Sequence, residues 1–379
     1  MYPRRHQVGQ RSAHQKGSSQ SGASRSEVGL GTGGRWVCAV NQPLRGFAAT
    51  DGEDGDNSPS TGQGGLVISR DDVLAALVRT RGYVRRTPLL PPAAETGGLW
   101  LKCEFLQYGG VFKTRGAFNR QLAALQRDEL DPSVGVVVAS GGNAGLAHAY
   151  VARTLGVRAT VFVPQTAPPG KIQRIREYGA DVRQTGTEYA EANAAAIDYA
   201  DTRGALFCHA YDQPEIAAGA GTLAEEILAD EPGINTVIVA VGGGGLYAGV
   251  ATAAEGRARV VAVEPSAIPT LHAALEAGHP VDVAVSGITA DSLGARRVGD
   301  IAFSIASRST PTSVLVDEDA IIAARYQLWR DYRIAAEHGA AAAFAALTSG
   351  AYQPTPAERV AVVICGANTD VRTLEPEAG

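Results

Sequence analysis

From about Ser69 onward the chain alternates between short apolar runs and Ala-rich stretches with helical spacing. The runs at 134–138, 159–163, 237–241, 260–263 and 360–364 are rich in β-branched residues and apolar apart from Thr160. Runs of this kind predict strands buried on both faces, and the stretches at 145–155 and 190–201 between them predict helices. Ser69, followed by Asp71 and Asp72, supplies an N-cap for a helix over 72–79. Buried strands divided by helices indicate the α/β class with parallel sheets. In such sheets ligands bind beyond the carboxyl ends of the strands. Three of those ends stand out: Ser140-Gly141-Gly142-Asn143-Ala144-Gly145, Gly242-Gly243-Gly244-Gly245-Leu246 and Cys365-Gly366-Ala367-Asn368-Thr369-Asp370.

Residues 1–64 break this pattern. They are crowded with Gly, Ser, Gln and scattered Arg, and have no sustained apolar period. A segment like this buries too little surface to offset its ordering entropy, which predicts a disordered extension, or an overlong reading of where the chain starts. It lacks the apolar region of a signal peptide and the amphipathic helix of a transit peptide.

Charge and composition remove several function classes. A net charge of −5, with no cluster of Lys and Arg, gives no footprint for nucleic acid. No apolar run approaches the ~20 residues of a membrane span. Cys38, Cys103, Cys208 and Cys365 lie far apart without metal or redox spacing, so a reducing, cytoplasmic setting is expected.

Four consecutive glycines between a strand and a helix let several backbone N–H groups point at one anion, with the helix dipole assisting. This predicts a phosphate cradle at Gly242, Gly243, Gly244, Gly245 and Leu246. No GxxxxGK[ST] sequence follows, which disfavours a nucleotide loop. Lysine usage adds a second clue, because only Lys16, Lys102, Lys113 and Lys171 occur among 34 basic residues. A lysine retained where arginine is preferred suits chemistry that needs a neutral amine, such as Schiff-base formation. Lys16 falls in the extension, Lys102 reads as an exposed strand residue, and Lys171 reads as a water-facing residue at a helix start. Lys113 sits where a glycine-rich loop enters a helix.

The four segments Phe112-Lys113-Thr114-Arg115-Gly116-Ala117-Phe118-Asn119, Ser140 to Gly145, Gly242 to Leu246, and Cys365-Gly366-Ala367-Asn368 occur in one order. In that order they resemble the fold-type II pyridoxal-phosphate enzymes, and most closely the threonine/serine dehydratases, from about Arg70 to Asp370. The resemblance implies two open twisted parallel-sheet domains of the tryptophan-synthase-β-like architecture, with the cofactor between them. The small domain would span 135–212, and the large one 65–134 plus 213–374. Lys113 would carry pyridoxal 5′-phosphate as a Schiff base and remove the substrate's Cα proton. Asn143 would hydrogen-bond the cofactor's ring hydroxyl, and Ser140, Gly141 and Asn143 would hold the substrate carboxylate. The amides of Gly242 to Leu246 would bind the phosphate. Cys365 would face the pyridine nitrogen as a neutral group, unable to hold it protonated as an Asp would. The implied reaction is loss of water from L-threonine or L-serine, giving a 2-oxo acid and ammonia, by a cytoplasmic homodimer.

Several positions depart from related patterns. The all-glycine loop differs from the Gly-Thr-Gly-Gly-Thr loop of cysteine synthases, which argues against β-replacement. Serine racemases carry a second Ser after Ser140, where this chain has Gly141, which argues for a dehydratase. Val111 stands where a Ser usually precedes Phe-Lys, and Ala144 where a His often follows the Asn. Glu264 matches an acid that helps bind a cation in related racemases, but the partner Asp position is Thr270. An incomplete divalent site, a monovalent-cation site and a plain surface carboxylate all stay open there. Asp291 matches a loop near the cofactor and equally suits a turn cap; His148, His209 and His272 read as structural or surface residues. The chain ends soon after Asp370, so an unregulated enzyme is expected. The rival readings are a serine racemase, a 3-hydroxyaspartate dehydratase, a non-catalytic pyridoxal-phosphate-binding protein and a nucleotide-dependent enzyme.

Overall fold

A computed structural model describes residues 67–92, 98–167 and 169–374. Lys16, Cys38 and the extension over 1–64 lie outside the described residues. The chain enters through α1 (Arg70–Arg79), β1 (Leu89–Leu90), β2 (Leu99–Lys102) and α2 (Lys113–Gln126). A block follows of β3 (Val136–Ala139), α3 (Asn143–Leu155), β4 (Ala159–Val163), α4 (Pro169–Glu177), β5 (Asp181–Gln184), α5 (Tyr189–Arg203) and β6 (Leu206–Phe207). The chain returns through α6 (Pro214–Asp230), β7 (Thr236–Ala240), α7 (Gly245–Ala254), β8 (Arg259–Pro265) and α8 (Thr270–Ala277). Last come α9 (Ala290–Leu293), α10 (Asp300–Ser309), β9 (Thr312–Val316), α11 (Glu318–Tyr332), α12 (His338–Thr348) and β10 (Val360–Val363).

The strands form a six-stranded sheet ordered β1-β2-β10-β7-β8-β9 and a four-stranded sheet ordered β5-β4-β3-β6. Every pairing is parallel except the β1–β2 hairpin. All four residues of β3 and all five of β7 are buried, as their unbroken apolar character requires when helices cover both faces. The small sheet is built by one continuous stretch, threaded between two halves of the larger sheet. No helix among the described residues is long and apolar enough to cross a membrane.

α1 begins at Arg70, under a capping box in which Ser69 and Asp72 bond each other's backbone N–H groups. Lys102 is the largest departure from expectation. It is fully buried, donating to Glu226 Oε2 at 2.6 Å and to the Thr87 carbonyl at 2.8 Å. Trp100, Leu101 and Lys102 of β2 are all buried, so both faces of the strand are covered, and the alternation that suggested a wet face reflects a buried charge with a partner. Arg115, two residues past Lys113, joins the same cluster. Its guanidinium donates to both oxygens of Glu104 and both of Glu226, all at 2.8 Å. Two cations and two carboxylates thereby tie the first turn of α2 to α6 and to the segment after β2.

Candidate active site

The carboxyl ends of β3, β7 and β10 open toward the start of α2. Lys113, the first residue of α2, is half-buried, and its Nζ donates to the Ala210 carbonyl at 3.0 Å. Burial lowers its pKa to about 8, against the opposing pull of Cys365 and Glu337. A substantial fraction of the amine is therefore neutral near physiological pH, as a nucleophile requires. One cavity is lined by Lys113, Ala144, His148, Tyr211, Gly245 and Leu246, which brings the amine and the start of α7 onto a shared space.

That start is the glycine loop. Gly244 adopts φ of +90°, a left-handed conformation that favours glycine. A Cβ on Gly243 would strike the Tyr211 ring, and one on Gly245 would come within 2.7 Å of the Tyr211 carbonyl. Only glycine lets the loop pack this closely against Tyr211. α7 has no side-chain cap, so its first-turn amides keep free hydrogen-bonding capacity at the positive end of the helix dipole.

A second cavity is lined by Gly141, Gly142, Asn143, Lys171, Arg174 and Asp291. Ser140 Oγ accepts from the Gly142 amide at 3.2 Å, and its own hydrogen remains to donate. α3 also starts without a side-chain cap. Asn143 Nδ2 donates to Glu337 Oε1 at 2.7 Å, and Asn143 Oδ1 accepts from Asn368 Nδ2 at 2.7 Å. Glu337 is buried where α12 begins, and burial raises its pKa to about 7 while the Asn143 bond pulls the other way. Cys365 is a buried thiol whose pKa burial drives far up, so it stays neutral. Its carbonyl accepts from the Phe112 amide at 3.0 Å, pinning the loop after β10 to the residue before Lys113.

Other expected positions fall differently. Lys171 is only partly exposed and bridges to Asp291 at 3.2 Å across the second cavity, so it is not a plain water-facing residue. Asp291 belongs to that pair and does not cap a turn. His148 is buried beside Gln121, with a pKa lowered to about 3, and is a neutral wall of the Lys113 cavity. His209 Nδ1 accepts the amides of Tyr211 and Asp212, and His272 Nδ1 meets Ser313, so both are structural. Glu264 is fully buried, which removes the surface reading. Its Oε1 accepts from Leu271 N at 2.7 Å and its Oε2 from His272 N at 2.8 Å, capping α8. The Thr270 hydroxyl lies 3.0 Å from Glu264 Oε1 and 2.5 Å from the Gly242 carbonyl. With a hydroxyl where a second acid would stand, and no metal-holding acid, His or Cys group among the described residues, we derive no step through a cation.

Glu337, Arg174, Tyr211 and Ala210 escaped sequence reasoning. A Glu just before an Ala-rich run reads as an ordinary helix start, and nothing in its spacing reports that Lys113 and Asn143 lie opposite.

The sequence profile of the family described as pyridoxal-phosphate dependent enzymes matches residues 80–366. The chain belongs to this family. The L-threonine ammonia-lyase of Geobacter sulfurreducens is 38% identical over 303 residues, covering 78% of this chain and 74% of that protein. Maize serine racemase superposes with a TM-score of 0.75 at 28% identity, over 81% of this chain and 96% of the racemase. The processed form of threonine deaminase isoform 2 from Solanum lycopersicum gives a TM-score of 0.72 at 28% identity, over 82% of this chain and 94% of that one. The family's cofactor fits the residues present: a lysine amine of lowered pKa shares a cavity with a side-chain-free loop of unpartnered amides.

Proposed function

We propose that this enzyme removes the β-hydroxyl of L-threonine or L-serine, yielding a 2-oxo acid and ammonia. The observation that carries the reading is the shared cavity of Lys113 and the glycine loop, which fits one ligand bearing both an aldehyde and a phosphate. Bound pyridoxal phosphate supplies the electron sink that makes the substrate's Cα–H bond acidic. Lys113 Nζ would hold the cofactor and, as a free amine, would take the substrate's Cα proton. The amides of Gly242, Gly243, Gly244, Gly245 and Leu246 would hold the phosphate. Asn143 Nδ2 would donate its second N–H to the ring oxygen, and Ser140, Gly141 and Asn143 would receive the substrate carboxylate at the uncapped start of α3. The neutral Cys365 thiol would face the pyridine nitrogen without supplying the charge that keeps it protonated, which would favour prompt loss of the β-group.

Gly141 offers no acid or base on the face opposite Lys113, which favours elimination over racemisation. The small sheet and its helices serve as the small domain, over 135–212, with 65–134 and 213–374 as the large one. A cytoplasmic homodimer belongs to the same reading. Product analysis tests it: L-threonine or L-serine should give 2-oxo acid and ammonia in equal amounts with no D-amino acid. D-Serine without 2-oxo acid, or turnover of hydroxyaspartate alone, would overturn it.

A further inference from the structure

Four side chains form a continuous hydrogen-bond chain across the second cavity. Arg174 Nη2 donates to Asn368 Oδ1 at 2.7 Å, Asn368 Nδ2 to Asn143 Oδ1 at 2.7 Å, and Asn143 Nδ2 to Glu337 Oε1 at 2.7 Å. A guanidinium has no acceptor, so it can face only the oxygen of the Asn368 amide. The Gly109 carbonyl, which accepts from Asn368 Nδ2 at 3.0 Å, imposes the same orientation, and together the two point the Asn368 nitrogen toward Asn143. The Asn143 oxygen is thereby committed to Asn368, and its nitrogen keeps one N–H for Glu337 and one for a ligand. Every link has the same polarity, from an exposed cation to a buried carboxyl. The chain also crosses between α4, the loop after β10, α3 and the start of α12, joining elements of both sheets. Among the described residues Arg174 forms no ion pair, and Asn368 is its hydrogen-bond partner.

We propose that Arg174 is a positioning residue that, with the Gly109 carbonyl, sets the amide polarity of Asn368 and through it that of Asn143, so that Asn143 can only donate toward the cofactor's ring oxygen. A side chain restricted to donating favours the ionised form of that oxygen over its hydroxyl form. The inference rests on the cofactor reading above and adds to it a residue outside the cofactor's own contacts. Its role differs from a structural one because Arg174 lies exposed on α4 and supports no core packing.

The test compares Arg174→Gln, which can accept as well as donate, with Arg174→Lys, which can only donate. Purified proteins are titrated with pyridoxal phosphate while the absorption spectrum and the melting temperature are recorded. Arg174→Gln should fold with an unchanged melting temperature and bind the cofactor about five- to tenfold more weakly, the equivalent of one hydrogen bond. Its visible band should lose intensity to a shorter-wavelength band of the protonated ring oxygen, and Arg174→Lys should restore both properties. A yellow wild type whose spectrum and affinity survive Arg174→Gln overturns this inference alone, as does a Lys variant as perturbed as the Gln variant. A wild type that takes up no pyridoxal phosphate overturns the functional reading and this inference with it.

Discussion

A carboxyl group closed off from water keeps its proton to higher pH, and Glu337 is such a group, with a pKa near 7 instead of 4.5. Between those values the folded protein holds a proton that the unfolded chain has released. Glu337 therefore supports the fold fully at the acid end of this window, and that support is lost as pH rises through 7. Glu337→Gln removes the effect. Denaturant midpoints measured from pH 5 to 8 should show wild type losing on the order of 3 kcal/mol relative to the variant. Parallel profiles for the two proteins would contradict the assignment. Glu337 shows where legibility in the sequence ended. Lys113 stood out because lysine is rare in this chain and the glycine loop because four glycines follow a strand, while Asn143 was reached through the family resemblance. The importance of Glu337 and Arg174 comes from what faces them across the cleft, and spacing along the chain does not encode that. Lys102 was misread for the same reason, since its partner Glu226 lies far away in sequence.

At the scale of elements, α2 is the part that must not move, because Lys113 begins it. Its anchor is the buried cluster of Arg115, Lys102, Glu104 and Glu226, in which charges balance and each is hydrogen-bonded. Arg115→Met leaves two buried carboxylates facing one amine and should cost about 3–5 kcal/mol, read from equilibrium unfolding in urea. A loss under about 1 kcal/mol would mean the cluster is not holding the helix. The elements that announced themselves in the sequence were the buried ones: β3, β4, β7, β8 and β10 fall within two residues of the predicted runs. β5, with the sequence Asp-Val-Arg-Gln, did not, because it is an edge strand paired only to β4 and exposes polar side chains to water. The two-residue strands β1 and β6 are too short to show a period at all.

The whole molecule places its chemistry where loops from both sheets face each other. The six-stranded sheet contributes Cys365 and the glycine loop, and the four-stranded sheet contributes Ser140 and Asn143. Lys113 stands on the helix that leads from one sheet to the other. Nested topology of this kind was implied by the order of four motifs, since the pattern of strands and helices alone gave an α/β class without saying which strands share a sheet. The claim on which everything else depends is that Lys113 carries pyridoxal phosphate. The direct measurement is the absorption spectrum of the purified protein mixed with pyridoxal phosphate, recorded for wild type and for Lys113→Ala and repeated after adding L-threonine. A visible Schiff-base band is expected in wild type alone, with 2-oxo acid accumulating once substrate is present. A protein that stays colourless, or a band that survives Lys113→Ala, would contradict it.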